Sequence, residues 1–230
     1  MSTPHPLDHA VWEALTTTHR DLSTGDDAAK RYLPTVGPFG ALRDESPESW
    51  QSLSTLTAAT GRITLLFDRH IDPPPEFEVV RRGVLVQMML PDFRAGANVD
   101  AVKLGAGDVA DMLELVALTQ PGPFEAETYR MGAYYGLRID GQLAAMAGER
   151  MRLPGFTEVS AVCTHPEHRK KGYGEALMNH VAARIVERGD TPFLHVFRSN
   201  EGAISLYRRL GYVERREFHL LAVTAGSVAV

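Results

Sequence analysis

One stretch in the second half of the chain limits the possible folds more than any other. Val159, Ala161 and Cys163 fall on one side of an extended chain, which predicts a strand with an apolar face. Pro166 ends that strand because its ring removes a backbone donor. Apolar residues then recur at helical spacing, which predicts a helix over residues 175–188. The stretch is therefore interpreted as a strand, a loop and a helix.

The loop between this strand and this helix is basic and contains glycine. Gly172 and Gly174 lie where the helix begins, and open backbone N–H groups at a helix N-terminus attract phosphate. Arg169, Lys170 and Lys171 add positive charge at the same place. We interpret the loop as a binding site for a diphosphate. The alternative is an ordinary turn with solvated basic side chains.

Two well-known phosphate-binding loops do not match the sequence. A Walker loop needs Gly-Lys followed by Ser or Thr, and this chain contains no such run. A dinucleotide fingerprint needs a third glycine where the chain has Leu177.

Length and composition indicate a globular protein with a sizeable core. The chain has 230 residues, of which 44% are hydrophobic and 23% are charged. The net charge of −5 provides no overall basic field for nucleic acid. The single cysteine, Cys163, excludes an internal disulfide framework. Because we also find no apolar run of membrane length and no signal-peptide pattern, we expect a cytoplasmic protein with no membrane partner.

Residues 1–95 are predicted to form a smaller α/β lobe without a motif for chemistry, either a unit of its own or a degenerate copy of the second domain. Trp12, Trp50 and Phe67 are interpreted as core residues. The alternative is that this lobe forms a wall of the acceptor pocket. A linker is expected over 91–98. The patterns predict helices over 8–22, 28–32 and 46–59, and strands over 62–67 and 83–90.

Residues 96–230 are predicted to form a second domain. From about residue 98 to about residue 225 the predicted order is strand, helix, helix, three strands, helix, strand, helix and strand. The dipeptide Asp140-Gly141 predicts a tight hairpin between two of these strands.

Two separated motifs in this region resemble those of the GNAT N-acetyltransferases. The pattern Arg169-x-x-Gly172-x-Gly174 is similar to the acyl-CoA loop of that family, and the run from Asn200 through Tyr207 to Leu210-Gly211-Tyr212 is similar to its second acyl-CoA segment. The run 144–149 and the sequence Cys163-Thr164-His165-Pro166 resemble the corresponding stretches of the FR47-like branch. The resemblance implies an α/β (α+β) GNAT fold, in which helices flank a mixed central sheet, and it implies acetyl-CoA as cofactor.

The resemblance also implies which residues hold the cofactor. Backbone groups of Val162 and Thr164 would meet the pantetheine arm, and one N–H would polarise the thioester carbonyl. Asn200 would hydrogen-bond the same arm, with a plain helix N-cap as the alternative. The implied cofactor-binding set is Val162, Cys163, Thr164, Arg169, Lys170, Lys171, Gly172, Tyr173, Gly174, Asn200, Ala203 and Tyr207.

Three residues are candidates for catalysis. Glu158 lies fourteen residues before Gly172, a spacing shared with the catalytic glutamate of histone-type GNAT enzymes. We expect it to be a general base with a raised pKa in a half-buried cleft, or else an exposed strand glutamate in an ion pair. Glu149 on the neighbouring strand is the second candidate base. Tyr207 is the candidate acid for the departing thiolate, with core packing as the alternative.

The sequence gives less support to a cysteine nucleophile or a metal site. Cys163 is interpreted as a small buried hydrophobe rather than a nucleophile. His165 and His168 have no third ligand nearby in the sequence, so we expect no metal.

The predicted function is direct transfer of an acetyl group from acetyl-CoA to a primary amine of a small molecule or amino acid. A non-catalytic acyl-CoA sensor, an interaction module and a protein lysine or N-terminal acetyltransferase are the alternatives. A homodimer is left open, and nucleic acid is not expected as a partner.

Overall fold

The computed structural model describes residues 5–96 and 99–226. Its centre is a mixed sheet of eight strands in the order β4-β11-β5-β10-β9-β8-β7-β6. These strands are β4 (Ile63–Phe67), β5 (Phe77–Met89), β6 (Val102–Leu104), β7 (Tyr134–Ile139), β8 (Gln142–Leu153), β9 (Phe156–Thr164), β10 (Thr191–Phe197) and β11 (Val213–Ala225).

Three further strands form a small antiparallel sheet, and five helices complete the fold. The small sheet contains β1 (Ser23–Gly25), β2 (Ala29–Tyr32) and β3 (Gly40–Leu42). The helices are α1 (Ala10–Thr16), α2 (Pro47–Thr60), α3 (Val109–Thr119), α4 (Tyr173–Glu187) and α5 (Glu201–Arg209). Short 3₁₀ turns cover Pro6–His9, Arg20–Leu22, Ala106–Asp108, Thr128–Met131 and Pro166–His168.

The central sheet has apolar layers on both faces because its inner strands carry apolar side chains in both directions. Leu194 and Val196 of β10 pack with Leu177 and Val181 of α4 on one face. On the other face, Phe193 packs with a cluster from the N-terminal segment and the small sheet. The inner strands are thus covered by α4 on one side and by the first forty residues on the other.

The mixed central sheet and its flanking helices confirm the predicted fold class. The order of elements from β6 to β11 is also the predicted one. The predicted linker over 91–98 contains no regular element up to Gly96, and Ala97 and Asn98 lie outside the described residues.

Strands from the first part of the chain join this same sheet. β5 lies between β10 and β11, and β4 pairs with the outer side of β11. The predicted boundary near residue 95 therefore does not separate two sheets.

Two predicted helices in the first part of the chain were wrong in type or length. Residues 29–32 form a strand instead of a helix, because β1 and β3 pair with its two edges and Asp26 Oδ1 accepts from the N–H groups of Ala28 and Ala29. The helix predicted over 8–22 is interrupted after Thr16, where Thr17 leaves the helical region with φ −121° and ψ −97°.

No helix in the part of the chain that the structure describes is both long enough and apolar enough to cross a membrane.

The shared sheet predicts that both parts of the chain unfold together. Both tryptophans, Trp12 and Trp50, lie before residue 95, so fluorescence reports the first part and far-UV circular dichroism reports the whole chain. We expect the two signals to coincide in a urea titration. Leu65→Ala in β4, where the leucine is 1% exposed, is expected to lower the free energy of unfolding by about 2–5 kcal/mol in both signals.

The matched control is Val80→Ala on β5, where the side chain is 48% exposed and a change within about 0.5 kcal/mol is expected. Two separated transitions would contradict the shared sheet.

Candidate active site

Strands β9 and β10 pair over a short distance and then part. Their parallel register contains three residue pairs and ends at Glu158 and Phe193. Within the described residues, positions 159–164 of β9 have no pairing partner on the β10 side. Ala161 has φ 53°, and the register with β8 shifts at this point, which marks a β-bulge. The result is a gap in the sheet that one edge of β9 lines.

The backbone of β9 offers hydrogen-bonding groups to this gap. The His165 N–H donates to the Ala144 carbonyl at 2.8 Å, on the β8 side. Because backbone groups alternate between the two edges of a strand, those of Thr164 point the other way, into the gap. A ligand along this edge would satisfy them as a strand would, which fits the expectation for Val162 and Thr164.

The gap ends at the turn that opens α4. Gly172 has φ 80°, a left-handed conformation that favours glycine, and a Cβ placed there would meet no atom within 4 Å. The helix has no side-chain N-cap, so the N–H groups of its first turn are left to solvent or a ligand. A Cβ placed on Gly174 would lie 3.6 Å from Thr164 Oγ1 and 3.8 Å from Val162 Cγ1, which are ordinary contact distances. The turn thus leaves room for a group as large as a phosphate.

The charges around this turn favour an anion. Arg169, Lys170 and Lys171 are exposed, and no carboxylate within residues 5–96 and 99–226 forms an ion pair with them. Lys171 Nζ lies 3.2 Å from His168 Nδ1 instead. A basic turn over open helix N–H groups suits the diphosphate of coenzyme A.

The second motif packs beside the first. Val162, Tyr173, Ala203 and Tyr207 are all half-buried against the cluster that α4 forms with the sheet. Asn200 is the N-cap of α5, since its Oδ1 accepts from the Ala203 N–H at 3.1 Å. The alternative interpretation of Asn200 as a cap is therefore confirmed, and its amide nitrogen is left for a ligand role.

Tyr207 is half-buried, and burial raises the pKa of its phenol. Its ring centroid lies 6.0 Å from that of Tyr212. A raised pKa keeps the hydroxyl protonated at neutral pH, as a proton donor requires. Tyr207 as the acid stays a prediction.

The environment expected for Glu158 was wrong. Its side chain is fully buried, and each carboxylate oxygen accepts from Arg150 at 2.7 Å. Burial alone raises the pKa of Glu158, but the Arg150 charge and the hydrogen bond from His195 outweigh it and lower the pKa to about 2. Such a carboxylate is a poor proton acceptor at neutral pH.

Glu149 lies away from the turn that opens α4. Its Oε1 is 2.9 Å from Nη1 of Arg188, at the other end of α4, and its Oε2 accepts from the Ala133 N–H at 3.3 Å. The fifteen residues of α4 span about 22 Å. Glu149 is 1% exposed, so its role as a base has no support from its surroundings.

Cys163 packs with α3 in the core. Burial raises the pKa of its thiol to about 11. The sulfur therefore stays protonated, and the backbone groups of Cys163, like those of His165, face β8 rather than the gap.

A row of polar side chains crosses five adjacent strands, and the sequence analysis missed most of it. Arg150 on β8 pairs with Glu158 on β9, and Glu158 Oε1 lies 2.7 Å from Nδ1 of His195 on β10. His195 Nε2 lies 3.1 Å from Nε2 of Gln87 on β5, whose Oε1 accepts from Arg215 on β11 at 2.7 Å.

A signal for this row was present in the sequence. Gln87 is the one polar side chain in the run 83–90 and His195 the one in the run 192–197, and a buried polar side chain needs a partner. The sequence does not say which partner it has.

A cavity of about 670 Å³ lies on the same face of the sheet as this row. Its walls come from residues 7–12, 40–45 and 65–69, and its floor includes Gln87 and His195. Four carboxylates and three guanidinium groups line it, with Trp12, Phe67 and Phe218 among the apolar side chains. The charged lining residues are Asp8, Asp44, Glu45, Asp68, Arg43, Arg69 and Arg216.

Comparisons with known proteins agree with this geometry. The family model described as FR47-like protein matches residues 134–220. One similar crystal structure is that of a GNAT-family acetyltransferase from Novosphingobium aromaticivorans DSM 12444. It is 38% identical in sequence, the match covers 97% of this chain and 100% of that chain, and the TM-score is 0.90. A GCN5-related N-acetyltransferase from Kribbella flavida is 17% identical over 94% of this chain with a TM-score of 0.64, which shows the same fold.

A characterised relative matches over a shorter stretch. The ribosomal protein bS18-alanine N-acetyltransferase of Escherichia coli K12 is 33% identical over 89 residues, which span 37% of this chain and 60% of that enzyme. The chain belongs to the GNAT acetyltransferase superfamily, and its residues 134–220 match the FR47-like family model.

The lowered pKa of Glu158 predicts a dependence of stability on pH. A carboxylate with a pKa of about 2 when folded and 4.5 when unfolded stabilises the fold above pH 4.5, and this stabilisation is lost as the pH falls toward 2. Glu158→Gln leaves Arg150 buried without its counter-ion and is expected to cost about 3–5 kcal/mol at pH 7. The difference from wild type should narrow below pH 4.5, measured by urea unfolding at pH 7, 5 and 3.5.

Glu76→Gln, at an exposed position, is the control and should show almost no difference at any of these pH values. An unchanged cost of Glu158→Gln from pH 7 to 3.5 would contradict the lowered pKa.

Proposed function

We propose that this protein is an acetyl-CoA-dependent N-acetyltransferase that moves an acetyl group directly to a primary amine of a small molecule or amino acid. The observation that carries the proposal is the gap between β9 and β10, which ends at a basic turn with open helix N–H groups. Acetyl-CoA supplies the acetyl group as a thioester.

Each part of the donor site has a task that its chemistry suits. The backbone around Gly172 and the first turn of α4 bind the diphosphate, and Arg169 balances its charge. The free edge of β9 at Val162 and Thr164 holds the pantetheine arm by backbone hydrogen bonds. A backbone N–H on this edge polarises the thioester carbonyl, and Tyr207 returns a proton to the leaving sulfur.

The acceptor is proposed to be an amine because membership of the N-acetyltransferase superfamily favours nitrogen as the attacking atom. The Escherichia coli relative acts on an alanine of a ribosomal protein, so an α-amino group is the first kind of amine to test. A cavity of about 670 Å³ has the volume of a small-molecule site. We therefore favour a small amine or amino acid over a folded protein surface.

The proposed diphosphate site can be tested with two matched glycines. Gly172→Ala forces a side chain into a left-handed turn, which costs about 1–2 kcal/mol and should raise the Kd of coenzyme A roughly tenfold. Gly189→Ala at the other end of α4 is the control, because its φ is 84° and its added Cβ also meets nothing within 4 Å. Both variants should lose similar stability, but only Gly172→Ala should weaken binding in isothermal titration calorimetry.

Equal Kd values for the two variants would contradict a site at this turn. The absence of any binding heat in the wild type would favour the interaction module instead.

The proposed reaction can be tested with two neighbouring tyrosines. Tyr207→Phe removes the proton donor and should lower kcat about 100-fold, while the Kd of coenzyme A stays unchanged. Tyr212→Phe is the control, because the Tyr212 hydroxyl is buried with no hydrogen-bond partner among the described residues. Thiol release from acetyl-CoA is measured with a panel of α-amino acids, alkylamines and arylalkylamines.

If wild type binds coenzyme A but releases no thiol with any acceptor, the protein is an acyl-CoA sensor. If Tyr207→Phe and Tyr212→Phe lower kcat by the same factor, Tyr207 is not the acid.

A further inference from the structure

His195 lies where the gap between β9 and β10 meets the cavity. It lies two residues beyond Phe193, the last residue of β10 that pairs with β9, so it stands at the start of the gap. Its side chain points to the face of the sheet that carries the N-terminal segment, and it lines the floor of the cavity. The neighbouring Leu194 and Val196 point to the opposite face and pack toward α4.

The partners of His195 determine which ring nitrogen carries the proton. The Gln87 amide nitrogen donates to the Leu7 carbonyl at 3.0 Å, and its oxygen accepts from Arg215, which together fix the orientation of the amide. Gln87 Nε2 therefore donates to His195 Nε2, which must accept with its lone pair. The Nδ1–H of His195 then donates to Glu158.

This arrangement is that of a general base held by a carboxylate. A buried carboxylate on Nδ1–H selects the tautomer with the electron pair on Nε2, which here accepts from Gln87, and stabilises the imidazolium that forms when Nε2 accepts a proton. Arg150 keeps Glu158 ionised and fixed in position from its other side. The low pKa that makes Glu158 unsuitable as a base thus suits it to orient one.

We propose that the cavity is the acceptor site and that His195, positioned by Glu158, takes the proton from the amine. This inference rests on the proposed function and adds the proton acceptor to it. The His195 side chain is only 2% exposed, so the Gln87 amide turns away from Nε2 when the amine takes its place there. As the N–C bond forms and the C–S bond breaks, the amine proton passes to Nε2 and later to solvent, and the sulfur receives a proton from Tyr207.

The lining of the cavity indicates the kind of amine. Each of its four carboxylates already has an arginine partner, so the lining charges do not select a cation or an anion. Trp12, Phe67 and Phe218 offer aromatic surface. An amine with an apolar body is therefore the best probe, and an arylalkylamine from the panel should have a higher kcat/KM than a polyamine.

The first test compares two histidines. His195→Gln should lower kcat/KM for the amine about 100- to 1000-fold while the Kd of coenzyme A stays unchanged. His219→Gln on β11 is the control: it faces away from the row, its ring centroid lies 6.3 Å from that of His70, and its kcat/KM should stay unchanged. Equal kcat/KM in His195→Gln and wild type overturns the assignment, whereas a wild type without turnover counts against the proposed function.

The second test separates a base from a structural residue. In His195→Ala, added imidazole should speed formation of the acetylated amine at least tenfold, and it should have no such effect in Tyr207→Phe. The acetylated amine itself is measured by mass spectrometry, because imidazole can release thiol on its own. Equal responses to imidazole in the two variants overturn the proposal.

The third test observes the protonation of the two His195 ring nitrogens directly. In protein labelled with ¹⁵N at histidine, His195 should show a protonated Nδ1 and an unprotonated Nε2 at neutral pH. Addition of an arylalkylamine that is turned over should shift the Nε2 resonance. A protonated Nε2 in the free protein, or no shift with that amine, overturns the proposal.

Discussion

Strands β9 and β10 pair at only three positions and then separate, and the donor site depends on that separation. A strand that loses its neighbour exposes backbone donors and acceptors that must find other partners. Here the exposed edge of β9 runs from Val159 to Thr164 and leads to the turn at Gly172. The β-bulge at Ala161 turns the strand away from its register with β8, so the gap is built into the fold.

The separation requires a fixed point where pairing ends, and the buried row of polar residues lies there. Glu158 and Phe193 form the last pair, and Glu158 ties β9 to β8 through Arg150 and to β10 through His195. Burial of a carboxylate is costly, and three short hydrogen bonds to it offset that cost. The same contacts that hold the three strands together also orient the imidazole toward the cavity.

Sequence patterns predicted most of the second half of the fold because its signals are local. The helix after Gly172, the hairpin at Asp140-Gly141 and the order of elements from β6 to β11 each follow from residues close together in the chain. The position of β5 between β10 and β11 did not follow, because pairing between strands more than one hundred residues apart leaves no local pattern. Residues 28–32 were assigned to a helix for the same reason, since the strands on both sides decide their conformation.

The candidate site shows the same limit. The basic turn before α4 could be predicted because the motif around Gly172 is contiguous, and spacing from it also singled out Glu158. Spacing could not give the environment of Glu158, since Arg150 and His195 reach it from two other strands. A glutamate whose spacing in the sequence suggests a base is a buried, ion-paired residue in the fold, and the histidine that contacts it from β10 has a side chain that is only 2% exposed.

The donor and acceptor sites come from different parts of the chain. The gap, the basic turn and Tyr207 lie between residues 158 and 212, a stretch contained within the FR47-like match of 134–220. The cavity walls come from residues 7–12, 40–45 and 65–69, all of them outside that match. The two sites meet at one sheet, because β5 brings Gln87 from the first part beside His195 from the second. A sequence motif for the donor can therefore be shared across a superfamily while the acceptor changes with the walls, and under the proposed function the first ninety-five residues supply most of the walls that would select the acceptor.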